Sequence, residues 1–149
     1  MNIYAPVSTI MNCDIFVVSH DDCASLVKSI FERNLIPHLL VMHEGNVVGV
    51  ISESDFRYFL NCVMKRFNNR ALSKSILNIY KLEEIMNTEF STLESSDTMS
   101  VALELLNDNI FTALPVLEKG VFVGFISTHH IVKTLIKGKV IDMRRYQMA

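Results

Sequence analysis

Residues 39–55 read LLVMHEGNVVGVISESD, and residues 114–130 read LPVLEKGVFVGFISTHH, 75 positions later. The same offset holds without a gap from residues 10–60 to residues 85–135, where fourteen of the 51 paired positions are identical. Chance would give roughly three identities at ordinary residue frequencies. The chain is therefore a tandem repeat, and we expect the two copies to fold alike and to need each other, because one copy of about 50 residues can hardly bury its own apolar faces.

Each copy predicts the same order of elements. An apolar run, a glycine-containing turn and a β-branched run predict a β-hairpin. Upstream, an apolar stripe at helical spacing predicts a helix of about three turns, with Asp22 and Asp97 placed to cap it. A short first strand at 15–18 and a second helix that opens near Ser54 or Thr128 complete the unit. The predicted fold class is α/β (α+β): two β-α-β-β-α repeats packed by pseudo-two-fold symmetry.

The repeat also divides the chain. We predict a first repeat at 1–64, a linker at 65–81, a second repeat at 82–137 and a C-terminal tail at 138–149, which together form one module. Gly138 is predicted to stop the last helix.

Composition excludes several classes of protein. The chain has 149 residues, 50% of them hydrophobic and 20% charged, with a net charge of −2. High hydrophobicity with low net charge excludes disorder, and the charge balance argues against nucleic acid as a partner. The apolar runs are shorter than the ~20 residues of a membrane span, and the N-terminus lacks the features of a signal peptide. We therefore expect a soluble cytoplasmic protein.

Cysteine and histidine do not indicate a metal. Cys13, Cys23 and Cys62 match no zinc spacing, and as free thiols they are most simply small core residues. The adjacent pair His129-His130 lacks the i, i+4 spacing of helical ligands. We predict no metal site.

Three short motifs recur in register. Hydrophobic-x-x-Ile-Met appears at 7–11 and 82–86, and a Leu-x-Val strand at 39–41 and 114–116, with proline in the middle of the second. Gly-h-h-Ser-x-x-Asp, where h is a hydrophobic residue, is whole at 49–55; at 124–130 it ends in His130 instead of aspartate. Over roughly residues 7–135 the chain resembles a tandem pair of CBS domains, often called a Bateman module.

The resemblance implies a regulatory module rather than an enzyme. Family members bind AMP, ADP, ATP or S-adenosylmethionine in clefts between the two copies and usually form a homodimeric disc. It therefore implies no required cofactor, an adenosyl ligand, a homodimer and a separate regulated protein on which the module acts in trans. The alternative is a ligand-independent dimerisation or interaction module, which the missing aspartate in the second copy favours. An enzyme is not expected, because the sequence shows neither a nucleophile–base motif nor a phosphate loop.

The closing motif has two interpretations from its residues alone. A serine at a strand-to-helix junction, with the free N–H groups of the new helix, can bind an anion, and a carboxylate in the first turn can accept two hydrogen bonds from a ribose diol. Serine is also an ordinary helix cap, and a first-turn aspartate stabilises the helix without any ligand.

The resemblance assigns residues to two clefts. The nucleotide cleft that we favour contains Ser52, Asp55, Phe90, Ser91, Thr112 and Ala113. A possible second cleft contains Ile15, Phe16, Pro37, His38, Ser127 and His130. It departs from the family pattern because His130 cannot accept two hydrogen bonds as a carboxylate does; this side chain could stack on a base, meet a phosphate or be idle. Candidate phosphate-binding cations are Arg57, Lys133 and His38, and the sequence does not choose among them.

Overall fold

The computed structural model describes residues 1–108 and 112–147, with side chains up to residue 137. The chain divides into two units. Residues Ile15–Phe90 form the first-repeat unit, whereas Met1–Asp14 together with Ser91–Ala149 form the second-repeat unit. Each unit holds its own three-stranded sheet.

The first-repeat unit places helices around the sheet order β1-β2-β3, in which β1 and β2 are parallel and β2 and β3 antiparallel. Its elements are β1 Val17–Ser19, α1 Ala24–Arg33, β2 His38–His43, β3 Asn46–Ser52, α2 Glu53–Arg66, α3 Lys74–Leu77 and a 3-10 turn at Leu82–Glu84.

The second-repeat unit has the same strand order and pairing in β4-β5-β6. Its elements are a 3-10 turn at Val7–Thr9, β4 Leu93–Glu94, α4 Met99–Asn107, β5 Ala113–Glu118, β6 Val121–Ser127 and α5 Thr128–Gln147. The predicted mixed α/β class and the predicted element order are therefore confirmed. The helix stop predicted at Gly138 is wrong, because α5 continues through it; a glycine inside a helix costs only about 0.5–1 kcal/mol.

The predicted glycine turns are two-residue hairpin loops. Glu44 and Gly45 have φ of 48° and 80°, and Lys119 and Gly120 have φ of 51° and 80°. A turn with positive φ at both central residues has the twist that matches the two strands of a β-hairpin. Glycine, which adopts positive φ readily, occupies the second position in both copies.

The two predicted aspartate caps are wrong. Helix α1 begins after Cys23 and helix α4 after Thr98, and neither cap position makes a side-chain cap hydrogen bond. Instead, Asp22 Oδ2 accepts from the backbone N–H of Ser19 at 2.8 Å, and Asp97 Oδ2 accepts from that of Glu94 at 2.8 Å. Each aspartate therefore closes the turn after the first strand, a local hydrogen bond that competes with capping.

The middle strand of each sheet is buried along most of its length. His38 to Val41 and Ala113 to Val116 are four successive buried residues in β2 and β5. Successive side chains of a strand point to opposite faces, so both faces of the sheet are covered. Burial on two sides accounts for a chain that is half hydrophobic.

The opening motif of the second repeat completes the first-repeat unit. Leu82 is fully buried in the core of this unit. The backbone of Asn87 exchanges two hydrogen bonds with Val50 of β3, at 2.9 and 3.0 Å. Met86 lies over Gly49, where an added Cβ would be 2.8 Å from Met86 Cβ and closer still to Sδ. Because Gly49 has no side chain, Met86 of the same chain can pack directly against the strand.

The opening motif of the first repeat does the same in the second-repeat unit. Val7 is fully buried there, and Asn12 exchanges hydrogen bonds of 2.9 and 3.0 Å with Phe125 of β6. An added Cβ on Gly124 would lie 2.9 Å from Met11 Sδ and 3.0 Å from the Asn12 carbonyl oxygen. The contiguous sequence repeat is thus not the folded unit: each repeat contributes its opening segment to the unit that holds the other repeat's sheet.

We expect Gly49→Ala to destabilise the chain by about 1–3 kcal/mol, because the new methyl group overpacks against Met86. In a Met86→Ala background the same substitution should cost less, with a coupling of at least about 0.5 kcal/mol. Urea unfolding of the wild type, the two single variants and the double variant measures both values. Additive effects would show that Gly49 and Met86 do not act as a pair.

Candidate functional site

The junction between β3 and α2 is held by Ser52. This buried residue ends β3 and is the N-cap of α2, where its Oγ accepts from the backbone N–H of Asp55 at 3.0 Å. The hydroxyl also lies 3.1 Å from Ser54 Oγ. Ser52 is therefore occupied in starting the helix, as an ordinary N-cap is.

The Asp55 side chain is exposed in the first turn of α2. Its backbone N–H is bound by Ser52, but its carboxylate has no hydrogen-bond or ion-pair partner among the residues whose side chains the structure describes. An exposed carboxylate held at a fixed position by its own backbone keeps all its acceptor capacity for a ligand.

Other predicted site residues lie at the same end of this sheet. His38 is the cross-strand partner of Ser52 and is 7% exposed. The Pro37 carbonyl accepts from the backbone N–H of Glu53 at 2.9 Å, and the Phe16 carbonyl accepts from that of Leu40 at 3.1 Å. The unit thus brings Pro37 and His38, predicted for the second cleft, beside Ser52, predicted for the first, while Phe16 lies on the other side of β2. The unit begins at Ile15 and ends at Phe90, both half-buried.

The predicted phosphate-binding cations have different surroundings. Arg57 forms an ion pair with Glu53 one turn earlier on α2. His38 is buried, and Lys133 is exposed on α5. Of the α2 N-terminal N–H groups, that of Glu53 is bound to Pro37 and that of Asp55 to Ser52. The free N–H groups expected at this helix start are therefore partly used by the protein itself.

The equivalent junction of the second-repeat unit differs in one contact. Ser127 is buried at the end of β6, and its Oγ accepts from the backbone N–H of His130 at 3.1 Å. The His130 ring, however, lies with Nε2 2.7 Å from the carbonyl oxygen of Ile10. Because a carbonyl only accepts, Nε2 carries the proton and donates it. His130 therefore ties the opening segment to α5, a contact that a carboxylate could not make.

The remaining predicted residues lie near Ser127 or at the start of the unit. Ala113 is the cross-strand partner of Ser127, and the exposed Thr112 accepts from the backbone N–H of Thr128 at 3.4 Å through its carbonyl. Ser91 is half-buried two residues before β4. The sequence analysis did not predict the hydrogen bond between the Ile10 carbonyl and His130. The sequence feature that pointed to it was a histidine, which can donate, at the motif position where the first copy has aspartate.

The described residues hold neither a membrane-spanning helix nor a cluster of metal-ligating side chains. Within residues 1–108 and 112–147 no helix is long and apolar enough to cross a membrane. In the same part of the chain no three His, Cys, Asp or Glu side chains converge as a metal site would require.

Residues 7–61 and 82–137 each match the CBS domain family, so the chain belongs to that family and is a tandem CBS pair. This class of protein is typically regulatory rather than catalytic. The matched ranges contain both copies of the opening and closing motifs described above.

The chain is similar to other proteins over most of its length. A CBS domain-containing protein of Dictyostelium discoideum is 26% identical over 133 residues, which cover 88% of this chain and 91% of that protein. The uncharacterized protein MJ1225 of Methanocaldococcus jannaschii is 28% identical over 80% of this chain, which spans 43% of its length. The crystal structure of CBSX2 in complex with AMP shares the fold, with a TM-score of 0.70 at 19% identity over 91% of this chain and 98% of that one.

We expect His130→Ala to destabilise the chain by about 1 kcal/mol, because the Ile10 carbonyl loses its donor. His130→Asp should also be less stable than the wild type, since a carboxylate has no proton to donate to that carbonyl. Urea unfolding at pH 7 measures both. The matched control is His129→Ala at the exposed neighbour, which should stay within about 0.5 kcal/mol of the wild type. Equal changes in the free energy of unfolding at positions 129 and 130 would contradict a stabilising hydrogen bond between His130 and Ile10.

Proposed function

We propose that this chain is a regulatory module that binds an adenine nucleotide (AMP, ADP or ATP) through Asp55 and acts in trans on a partner protein. The observation that carries the proposal is the exposed carboxylate of Asp55, which has no partner among the described side chains and belongs to the one complete Gly-h-h-Ser-x-x-Asp motif of the sequence.

The chemistry of Asp55 suits a ribose. A carboxylate accepts hydrogen bonds from both hydroxyls of a vicinal diol, whereas it repels a phosphate. Ser52 positions that carboxylate by capping α2. The ribose is common to AMP, ADP, ATP and S-adenosylmethionine, so Asp55 can bind each of them through the sugar, and other groups must select the base and the 5′ substituent. Phe90, Ser91, Thr112 and Ala113 remain the predicted surroundings of the base.

The fold supports a nucleotide as the ligand. CBSX2, which shares this fold, was solved in complex with AMP. Ligand binding that differs between two conformations shifts their populations, and this is how a module without catalytic groups can regulate a partner. We further propose a homodimer as the assembled form, as the family resemblance implies.

The second candidate function is a ligand-independent dimerisation or interaction module. Two contacts favour it: the His130 ring is bound to the Ile10 carbonyl, and the Arg57 guanidinium is paired with Glu53. Both side chains are candidate ligand contacts that the protein already uses. In this case nucleotides would leave the stability of the chain unchanged.

We expect at least one of AMP, ADP, ATP and S-adenosylmethionine to raise the melting temperature of the chain. A ligand at 100 times its Kd stabilises the folded state by about 2.7 kcal/mol, which corresponds to a rise of roughly 5–10 °C for a chain of this size. Differential scanning fluorimetry with each ligand at millimolar concentration measures it. No shift with any of the four would overturn the nucleotide proposal and favour the second candidate.

We expect Asp55→Ala to weaken binding of the stabilising nucleotide about 10- to 100-fold, because hydrogen bonds to a charged group contribute about 1.5–3 kcal/mol. Isothermal titration calorimetry measures the Kd. Glu53→Gln is the matched control: it removes a neighbouring carboxylate on the same helix turn that already pairs with Arg57. This variant should bind no more weakly than the wild type, because it leaves Asp55 in place and only releases Arg57. Equal losses in both variants would exclude a specific role for Asp55.

A further inference from the structure

The first-repeat unit contains a cavity of about 540 Å³ between α1 and the segment 72–78. Neither Ser52 nor Asp55 lines it. The α1 side contributes Cys23, Ser25, Lys28 and Arg33, and the segment contributes Lys74 and Asn78, with leucines from both sides. A cavity of this size can hold a small organic molecule.

The lining of the cavity is positively charged. Lys28, Arg33 and Lys74 face a single carboxylate, Glu32, which is already ion-paired with Lys28. Within the described part of the chain, Arg33 and Lys74 have no ion-pair partner. The cavity therefore favours a ligand that carries carboxylates or other anionic groups.

A thiol stands at one end of this cavity. Cys23 Sγ lies 3.1 Å from Ser25 Oγ and 3.3 Å from Asn78 Oδ1. The hydrogen bond with the Ser25 side chain lowers the pKa of the Cys23 thiol below its usual value, against an opposing effect of desolvation. A thiol whose pKa is lowered forms the nucleophilic thiolate more readily.

The second repeat lacks these groups. At the repeat offset of 75 residues, Cys23 corresponds to Thr98, Lys28 to Leu103 and Arg33 to Asp108. Helix α4 nevertheless forms from Met99 to Asn107 in the same sheet topology. The thiol and two of the three cations are therefore not needed to build the repeat, and they belong to the first-repeat unit alone.

We propose that this cavity binds a small anionic disulfide of the glutathione type and that Cys23 exchanges with it. The Cys23 thiolate attacks one sulfur of the bound disulfide. A new S–S bond forms between Cys23 and one half of the molecule while the original S–S bond breaks. The other half leaves as a thiolate and takes a proton from water, so one disulfide is consumed and one is formed.

The dimensions fit such an adduct. A glutathionyl group is three residues long and reaches about 10 Å when extended. The cavity follows α1 from Cys23 to Arg33, a distance of about 15 Å at a rise of 1.5 Å per residue. Because the sulfur belongs to the middle residue, each carboxylate of the adduct lies up to about 7 Å from it. This distance reaches Lys28, five residues and about 7.5 Å along α1 from Cys23, and the long side chains of Arg33 and Lys74 line the same cavity.

The test compares two disulfides on the full-length chain. Glutathione disulfide carries carboxylates, and bis(2-hydroxyethyl) disulfide is neutral. Intact-mass spectrometry with peptide mapping gives the rate at each cysteine. We expect Cys23 to be modified first, Cys23→Ser to abolish that adduct, and Cys13→Ser and Cys62→Ser to leave its rate unchanged.

Charge reversal separates the cavity from simple thiol reactivity. In the double variant Arg33→Glu/Lys74→Glu we expect the rate with glutathione disulfide to fall about tenfold and the rate with the neutral disulfide to stay the same. The unchanged neutral rate also shows that the variant is folded around Cys23. Faster modification of Cys13 or Cys62, or an equal change with both disulfides, would overturn the proposal.

Discussion

The close approach of a methionine to a strand glycine is the contact on which each unit depends. Gly49 lies under Met86 and Gly124 under Met11, and in each case the residue after the methionine hydrogen-bonds to the strand residue after the glycine. A side chain at either glycine would push this segment away. The segment covers the third strand, which would otherwise present unpaired backbone groups. The hydrophobic-x-x-Ile-Met motif and the glycine of the closing motif are thus two halves of one contact.

The two closing motifs, which begin at these glycines, differ in the contacts of their last residue. Both serines cap the following helix through the backbone N–H three residues later. At that third position the Asp55 carboxylate is exposed, whereas the His130 ring donates a hydrogen bond to the Ile10 carbonyl. A single change of side chain, from acceptor to donor, replaces an exposed carboxylate with a structural contact. The two repeats therefore differ at the position where the second copy binds its opening segment and the first copy leaves a carboxylate exposed.

Local features were predictable from the sequence because neighbouring residues decide them. The glycine turns, the helix start after Ser52 and Ser127, and the double-sided burial of β2 and β5 all follow from spacing and residue type. The expectation that the three cysteines are core residues is wrong, because Cys13 is exposed and Cys23 and Cys62 are only half-buried. The other failures were positions at which two local conformations are both favourable. Asp22 and Asp97 could cap a helix or close the preceding turn, and the structure uses the turn. Gly138 could end a helix or be carried within it, and α5 carries it.

By itself, the sequence determined that the chain is a repeat, which elements each copy forms, and that only the first copy keeps the aspartate of the closing motif. These conclusions need only periodicity, turn chemistry and the comparison of one copy with the other. The tertiary structure decided which sheet each opening segment completes, which carbonyl His130 binds, and that Cys23 shares a cavity with Arg33 and Lys74. Such contacts join residues that are far apart in the chain. Local sequence preferences do not distinguish one long-range partner from another, so tertiary packing decides which residues meet.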